Sequence, residues 1–461
     1  YCNIETEDIR YFYEEQEKKA LAEWFFWLLE EYEKWADYEW EWRRKRKKSI
    51  EQLAFPFPYR EGQKDLVTYV YRTIYHGRKL FLEAPTGVGK TISTIFPAIK
   101  AIGQGMGERI FYLTAKTITR TVAENTFKLL RERGLCFKSV ILTAKEKICF
   151  MEQMECNPEN CPYAKGHYDR VNDAIYELLT CEESFSRENV EAYARRYTVC
   201  PFEMCLDMSL FADGIICDYN YLFDPHVYLK RFFADGSGGD YLLERGREMY
   251  SAGLVKEEFL NLKKEILKEE EKEENKKTVL VKEGYAARMA RQLEKCNKAM
   301  LMLKRECTDC SKVEEIDGIV QNVIWLHGLM DDYLDKQEEK KTEIREMILE
   351  FYFKLSHFLD IYERVDEHYI KYTMLQPDGS FLLRLYCVDP SLNLNECMKR
   401  GRSSILFSAT FLPIQYYKGL LGGEKEDYEV YAKSVFNPAK KGLFIAQDVT
   451  SKYSRRSEEE F

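Results

Sequence analysis

Residues Lys79 to Phe96 read KLFLEAPTGVGKTISTIF, and few other folds accommodate such a stretch. The apolar run Leu80–Glu83 predicts a strand, and the residues from Lys90 onward carry a helical pattern. The loop between fits the Walker A pattern, with Ala84 where the pattern has its first glycine. Its spacing follows from the chemistry of a bound polyphosphate. The backbone N–H groups of Thr86, Gly87, Val88, Gly89 and Lys90 form an anion nest after Ala84 and Pro85. Lys90 reaches the β- and γ-phosphates, Thr91 holds Mg2+, and the positive end of the helix dipole stands behind both. Such a loop needs a strand before it and a helix after it, so the chain must build a parallel sheet with covering helices.

The surrounding pattern agrees. A strand in RIFYLT is followed by a helix over Thr117–Arg133, a strand in SVILT, the strand Gly214–Cys217, and a last strand in SSILFSAT. Strands alternating with helices predict an α/β fold with a parallel sheet. Ahead of this core, Glu14 to Lys48 predicts one helix, with Leu21, Trp24, Phe25, Leu28, Tyr32 and Trp35 on an apolar stripe. Its six closing cations, Arg43 to Lys48, suit the negative end of that helix's dipole. Pro56 and Pro58 then mark a boundary. Arg247 to Tyr372 is charged and helix-favouring, with hardly any Gly or Pro.

Composition sets outer limits. At 461 residues the chain has room for roughly three domains. The net charge is −9, so any nucleic-acid contact has to come from local patches. No run approaches the roughly 20 apolar residues a membrane span requires, and the expectation is a cytoplasmic protein without a membrane partner. Fourteen cysteines without a secretion signal read as metal or cluster ligands rather than a disulfide scaffold. Cys149, Cys156 and Cys161 lie close together and Cys200 follows a helical stretch; Cys205 competes with Cys200 for the fourth place. Four thiolates suit either a 4Fe–4S cluster or tetrahedral zinc, and the spacing alone favours neither. The lone CxxC at Cys307 and Cys310 reads as structural.

A P-loop sheet interrupted first by a four-cysteine insertion and then by a helical one, before LFSAT, resembles the XPD/DinG-type iron–sulfur helicases of superfamily 2. The resemblance runs from Tyr59 to Phe436. YREGQ is similar to the family's adenine-side motif, with Arg60 and Gln63 in the matching places. EAPTGVGKT matches motif I, and YLTAKTITR resembles the segment that holds single-stranded DNA, with Lys116, Thr117 and Arg120 on it. CDYNYLFDP resembles the link from the cluster insertion back to the sheet. YCVDPS matches the return to the sheet, and Ser408-Ala409-Thr410 matches motif III.

The resemblance implies a RecA-like motor domain built from 55–148, 205–246 and 373–420. It implies a 4Fe–4S insertion at 149–204 held by Cys149, Cys156, Cys161 and Cys200, and a helical arch at 247–372. Residues 1–54 resemble a helical linker, the tail of an upstream nuclease-like domain, and 421–461 the start of a second motor domain. The implied activity is ATP-dependent, 5′-to-3′ unwinding of DNA, with ATP, Mg2+ and single-stranded DNA as ligands.

One part of the pattern is missing. The family places Asp-Glu-Ala-His after a sheet strand just before the arch, and this chain reads DPHVYLKRFFADGSGGDYLLERGREMYSA there. Asp218, the Asp366-Glu367-His368 triplet and Asp240 are the nearest substitutes. The downstream motor domain, whose arginines would reach across the nucleotide, is expected to lie beyond Phe461. The expectation is therefore a helicase-type ATPase with impaired hydrolysis. Two competing expectations are an ATP- and DNA-binding module without turnover and, with zinc at the cysteines, a nucleotide-gated scaffold.

Overall fold

The structure is a computed structural model that describes residues 17–114, 117–224, 229, 247–274, 285–336 and 342–434. Its strands are β1 (Lys79–Glu83), β2 (Ile110–Leu113), β3 (Ser139–Ile141), β4 (Ser184–Phe185), β5 (Gly214–Cys217), β6 (Ala252–Val255), β7 (Cys310–Lys312), β8 (Tyr369–Leu375), β9 (Phe381–Cys387), β10 (Ser404–Ser408) and β11 (Tyr428–Tyr431). They form three sheets, ordered β10-β1-β11, β2-β5-β3-β4 and β6-β9-β8-β7. The described residues fall into two compact units. One holds residues 17–75, 89–112 and 117–217; the other holds 76–88, 113–114 and 218–434.

In the first unit β3 runs parallel to β4 and β5. The Lys90–Gly103 and Thr117–Glu132 helices pack Ile95, Ile99 and Phe127 with Phe137 and Ile216. Gly214 opens β5 because no larger residue fits: a β-carbon there would stand 3.0 Å from the rings of both Phe127 and Phe137. The Lys90–Gly103 helix continues through Pro97.

The N-terminal helix spans Lys18–Gln52. It is free of Gly and Pro and carries i,i+4 pairs such as Glu39–Arg43 at 2.6 Å, both of which favour a long helix. The Arg43–Lys48 cations stop short of the dipole's negative end, because the helix runs a further turn to Gln52 and has no basic residue in its last turn. Lys100 takes that place, with Nζ donating to the Ile50 carbonyl at 2.6 Å and the Glu51 carbonyl at 3.2 Å.

That helix is fastened by a buried polar knot. Arg46 pairs with Asp213, and Trp42 donates its indole N–H to Asp213 at 3.1 Å. Lys138 donates its backbone N–H to the same carboxylate at 2.8 Å. The Lys138 ammonium lies 4.3 Å from the Trp42 ring and donates to the Leu179 and Glu182 carbonyls at 2.7 Å each. Lys138 is 2% exposed, and burial pulls its pKa down to about 8 from 10.5, with Glu183 and Asp213 opposing.

The sign of the linkage follows. Between pH 8 and 10.5 the unfolded chain binds the proton that folded Lys138 has released, so this residue's contribution to unfolding free energy rises with pH. The shift is worth on the order of 3 kcal/mol. Tyr38, whose hydroxyl burial pushes up, acts oppositely above pH 10, as the unfolded phenol ionises first. The Lys138→Met variant is expected to lose the rise between pH 8 and 10. Urea midpoints of both proteins across that range check it, and identical pH slopes would refute it.

In the second unit β1 is flanked by parallel β10 and β11. β1 reads KLFLE and is buried along its whole length, as a central strand of a parallel sheet should be. Lys79 ties it to β11 by pairing with Asp427 at 3.4 Å. Four helices, Lys256–Glu274, Tyr285–Glu306, Asp317–Lys336 and Glu343–Glu363, belong to the charged region. Phe259, Leu293, Val323, Leu326 and Phe358 from them share a core with Phe381 and Leu383 of β9.

The sequence reading differs from the structure in three places here. β9, which contains the YC of YCVDPS, does not return to the P-loop sheet but runs antiparallel to β6 and β8. The Cys307/Cys310 segment is not wholly helical, since Cys310 opens β7. The Asp366-Glu367-His368 triplet lies in a turn after the last of the four helices, where Asp366 accepts the His368 backbone N–H at 2.8 Å.

Candidate nucleotide site

β1 delivers the chain into the Gly loop, and the helix beginning at Lys90 carries it away. Gly87 and Gly89 have φ of +90° and +77°, the left-handed region where a side chain is costly. Gly89 is doubly constrained, because a β-carbon there would lie 2.6 Å from Nε2 of Gln63. Gln63 is itself buried and accepts the Arg60 backbone N–H through Oε1 at 3.1 Å. The YREGQ turn and the helix side of the Gly loop are thereby in direct contact. Beside them Tyr59 stacks on Phe55 with ring centroids 4.3 Å apart.

On the strand side, Glu83 is in register with Ser408 of β10, and the Ala84 N–H donates to the Ser408 carbonyl at 2.9 Å. The Ser408 and Thr410 hydroxyls are 3.1 Å apart. The Ser408–Thr410 segment therefore adjoins the start of the Gly loop, as the register of two parallel strands requires.

Tyr112 of β2 is a further candidate that sequence reasoning did not single out. Its hydroxyl is hydrogen-bonded to Thr91, a contact that partly offsets the upward push of burial on its pKa. A period-two pattern in RIFYLT would have put Tyr112 on one strand face, but nothing local names its partner.

The substitutes for the missing carboxylates divide. Asp218 follows β5 and accepts the Asn220 backbone N–H at 3.2 Å, which starts the short Asn220–Phe223 helix. Asp240 and the rest of the segment expected to carry the DEAH box, 230–246, lie outside the described residues, as does Lys116. Thr117 and Arg120 sit on the Thr117–Glu132 helix. Tyr219 packs against the cluster that contains Phe81 and Phe411. A cavity of about 620 Å3 lies along the Lys18–Gln52 helix and is lined by Trp35, Trp42, Phe211 and paired charges such as Arg46 and Asp213. Its lining includes the Arg46–Asp213 and Arg43–Glu39 ion pairs.

The four cysteines share one insertion. Cys149 ends the Lys145–Ile148 helix, Cys156 and Cys161 lie in the turns that follow, and Cys200 caps the Pro201–Met208 helix. The Cys200 backbone N–H donates to Nδ1 of His167 at 3.2 Å. Lys145 faces both Cys156 and Cys200 and is hydrogen-bonded to the former. In kind, the donors suit an iron–sulfur or zinc centre. As placed, no three His, Cys, Asp or Glu side chains among the described residues form a metal-binding group. A ligand set carried on turns commonly closes only on the metal. Cys205 is buried, with its thiol against the Ile141 carbonyl.

A parallel strand, a loop with two left-handed glycines and a helix opening on Lys-Thr have the form of a P-loop in a mixed α/β fold. The DEAD_2 family model matches residues 118–232. A probable ATP-dependent helicase of Methanocaldococcus jannaschii is 48% identical over 165 residues, covering 35% of this chain and 25% of that protein. The general transcription and DNA repair factor IIH helicase subunit XPD of Dictyostelium discoideum is 22% identical over 207 residues, covering 39% and 27%. A solved structure titled Truncated XPD aligns with a TM-score of 0.48 and 16% identity, over 80% of this chain and all of that one. Over part of its length the chain is thus similar to ATP-dependent and XPD-type helicases. It spans about a quarter of the length of these two curated relatives.

Proposed function

We propose that the chain is the nucleotide-binding motor portion of an ATP-dependent DNA helicase that moves 5′ to 3′ on single-stranded DNA. The observation that carries this reading is the contact of Gln63 with Gly89, which joins an adenine-side turn to a phosphate loop. In it, Arg60 and Gln63 orient the base. The amides from Thr86 to Lys90 and the Lys90 ammonium take the phosphates. Thr91, steadied by Tyr112, takes Mg2+. Single-stranded DNA crosses the Thr117–Glu132 helix near Arg120, with affinity dominated by phosphate contacts and falling steeply with salt. Cys149, Cys156, Cys161 and Cys200 would hold a 4Fe–4S cluster, which when bound braces the insertion that carries them.

Hydrolysis is proposed to be weak. A Mg2+ carboxylate and a water-positioning glutamate are absent from their usual place in the sequence. The chain then behaves as an ATP- and DNA-binding module, which is the second reading and is favoured by that same gap.

The test is ATP binding and single-stranded-DNA-stimulated hydrolysis in the same samples of the 461-residue chain. Binding with no DNA-stimulated turnover is expected. Turnover requiring both DNA and Lys90 would assign the missing role to another carboxylate, Asp218 first, and overturn the reading of weak hydrolysis. Failure to bind ATP would remove the motor reading altogether. Broad visible absorption with iron and sulfide in equal amounts is expected of the purified protein; a colourless zinc protein would exclude the cluster.

A further inference from the structure

The first turn of the His167–Cys181 helix holds the backbone that leads into Cys200. The Arg187–Tyr197 helix ends on Thr198, at φ +54° the only non-glycine residue with positive φ among the described residues. Helix ends leave carbonyls without partners, and here Arg170 takes them. Its Nε donates to the Tyr197 carbonyl at 2.9 Å and its Nη2 to the Thr198 carbonyl at 2.7 Å. Nη2 also donates to the Lys165 carbonyl at 2.7 Å. Lys165 in turn closes the turn that starts at Cys161, donating its N–H to the Cys161 carbonyl at 3.1 Å. One guanidinium thus ties the segment bearing Cys161 to the segment bearing Cys200. Gly166 leaves room for it, because a β-carbon there would lie 2.6 Å from Nη1.

His167 completes the hold by accepting the Cys200 N–H at Nδ1. The ring is 4% exposed, and its Nε2 is buried with no hydrogen-bond partner. Because Nδ1 accepts, the neutral ring carries its proton on Nε2, and a buried N–H without a partner costs stability. A phenylalanine would fill the same volume without that cost. A residue that breaks a local rule where an apolar one would fit marks a functional constraint, and what this ring does is fix the amide of Cys200. Cys161 is buried, whereas Cys156 is exposed on its turn.

We propose that His167 and Arg170 are positioning residues for a thiolate metal centre, presetting Cys161 and Cys200 so that the exposed Cys156 closes onto them last. The proposal rests on the reading of the four cysteines as ligands, and it holds for iron–sulfur and zinc alike, since thiolates bind both. Presetting two ligands lowers the ordering that binding has to supply. Loss of such an outer partner commonly weakens metal binding about 10- to 100-fold.

The test follows metal release from the 461-residue chain as purified, its metal identified by elemental analysis, under excess EDTA. His167→Phe keeps the ring's volume and removes the acceptor, and release about 10- to 100-fold faster than from the parent is expected. His167→Asn, whose Oδ1 accepts in place of Nδ1, should restore most of the retention, which a purely structural role for the ring would not produce. Arg170→Lys keeps the charge but loses the fork, and should release metal as His167→Phe does. Equal release from the parent and His167→Phe, or an asparagine no better than phenylalanine, would overturn the proposal. Hydrogen exchange on the parent after its metal is stripped checks the same point without a variant. The Cys161 and Cys200 amides should stay protected while Cys156 exchanges freely, and rapid exchange at Cys200 would overturn the presetting. A parent chain purified with neither iron nor zinc would instead overturn the reading of the cysteines as ligands, and this inference with it.

Discussion

Lys90→Ala is expected to weaken ATP binding by about 10- to 100-fold while leaving the fold intact. A hydrogen bond between charged partners contributes about 1.5–3 kcal/mol, and each 1.4 kcal/mol is a factor of ten in affinity. Lys90 is the first residue of its helix. Alanine is the best helix former at such a position, so the backbone nest has no reason to move. The variant therefore isolates the ammonium. Calorimetric titration with ATP, alongside thermal melts of both proteins, would check it. A Lys90→Ala protein that binds ATP as tightly as the parent would mean that the loop is not the nucleotide site. Gly89→Ala tests the nest from the other side. Its β-carbon would enter Gln63 and demand a left-handed backbone, so binding should fall even though no charge is lost.

The parts of this architecture that were legible in the sequence are those fixed by neighbours along the chain. The strand, the glycine loop and the helix that opens on Lys90 are one continuous segment, and their spacing is dictated by the phosphate chemistry they serve. β3 and β5 were also visible, because buried strands of a parallel sheet read as short apolar runs, and the half-buried β10 showed through its ILF run. The antiparallel sheet was not. β6 and β9 pair Ala252 with Leu385, and nothing within either segment specifies a partner more than a hundred residues away. The basic run after Trp42 was misread for the same reason. Its dipole assignment looked sound until Lys100, on a different helix, proved to hold the terminal carbonyls. Tyr112 escaped notice because its importance lies in reaching Thr91, a contact made across the fold. The four cysteines were easy to find, but composition cannot tell whether thiols on turns converge.

Asp213→Ala is expected to destabilise the first unit by about 3–5 kcal/mol, the usual cost of breaking a buried ion pair from one side. The carboxylate is 3% exposed and serves three donors at once: the Arg46 guanidinium, the Trp42 indole and the Lys138 backbone N–H. Burial pushes its pKa upward while Arg46 opposes, so the folded state bears a desolvation cost that these contacts offset. Removing the carboxylate leaves Arg46 half-buried without its counter-ion and two N–H groups without an acceptor. It also takes an anion away from Lys138, whose ammonium is already held below its ordinary pKa. Asp213→Asn keeps one acceptor oxygen and the shape but not the charge, so about 1–3 kcal/mol is expected. The loss should be local before it is global. Trp42 and Arg46 lie on the Lys18–Gln52 helix, so hydrogen exchange in that helix should accelerate at denaturant concentrations that leave β3 and β5 protected. Uniform exchange, or unchanged stability in Asp213→Ala, would mean that the core contacts of Ile50 and Leu53 hold the helix without the polar knot.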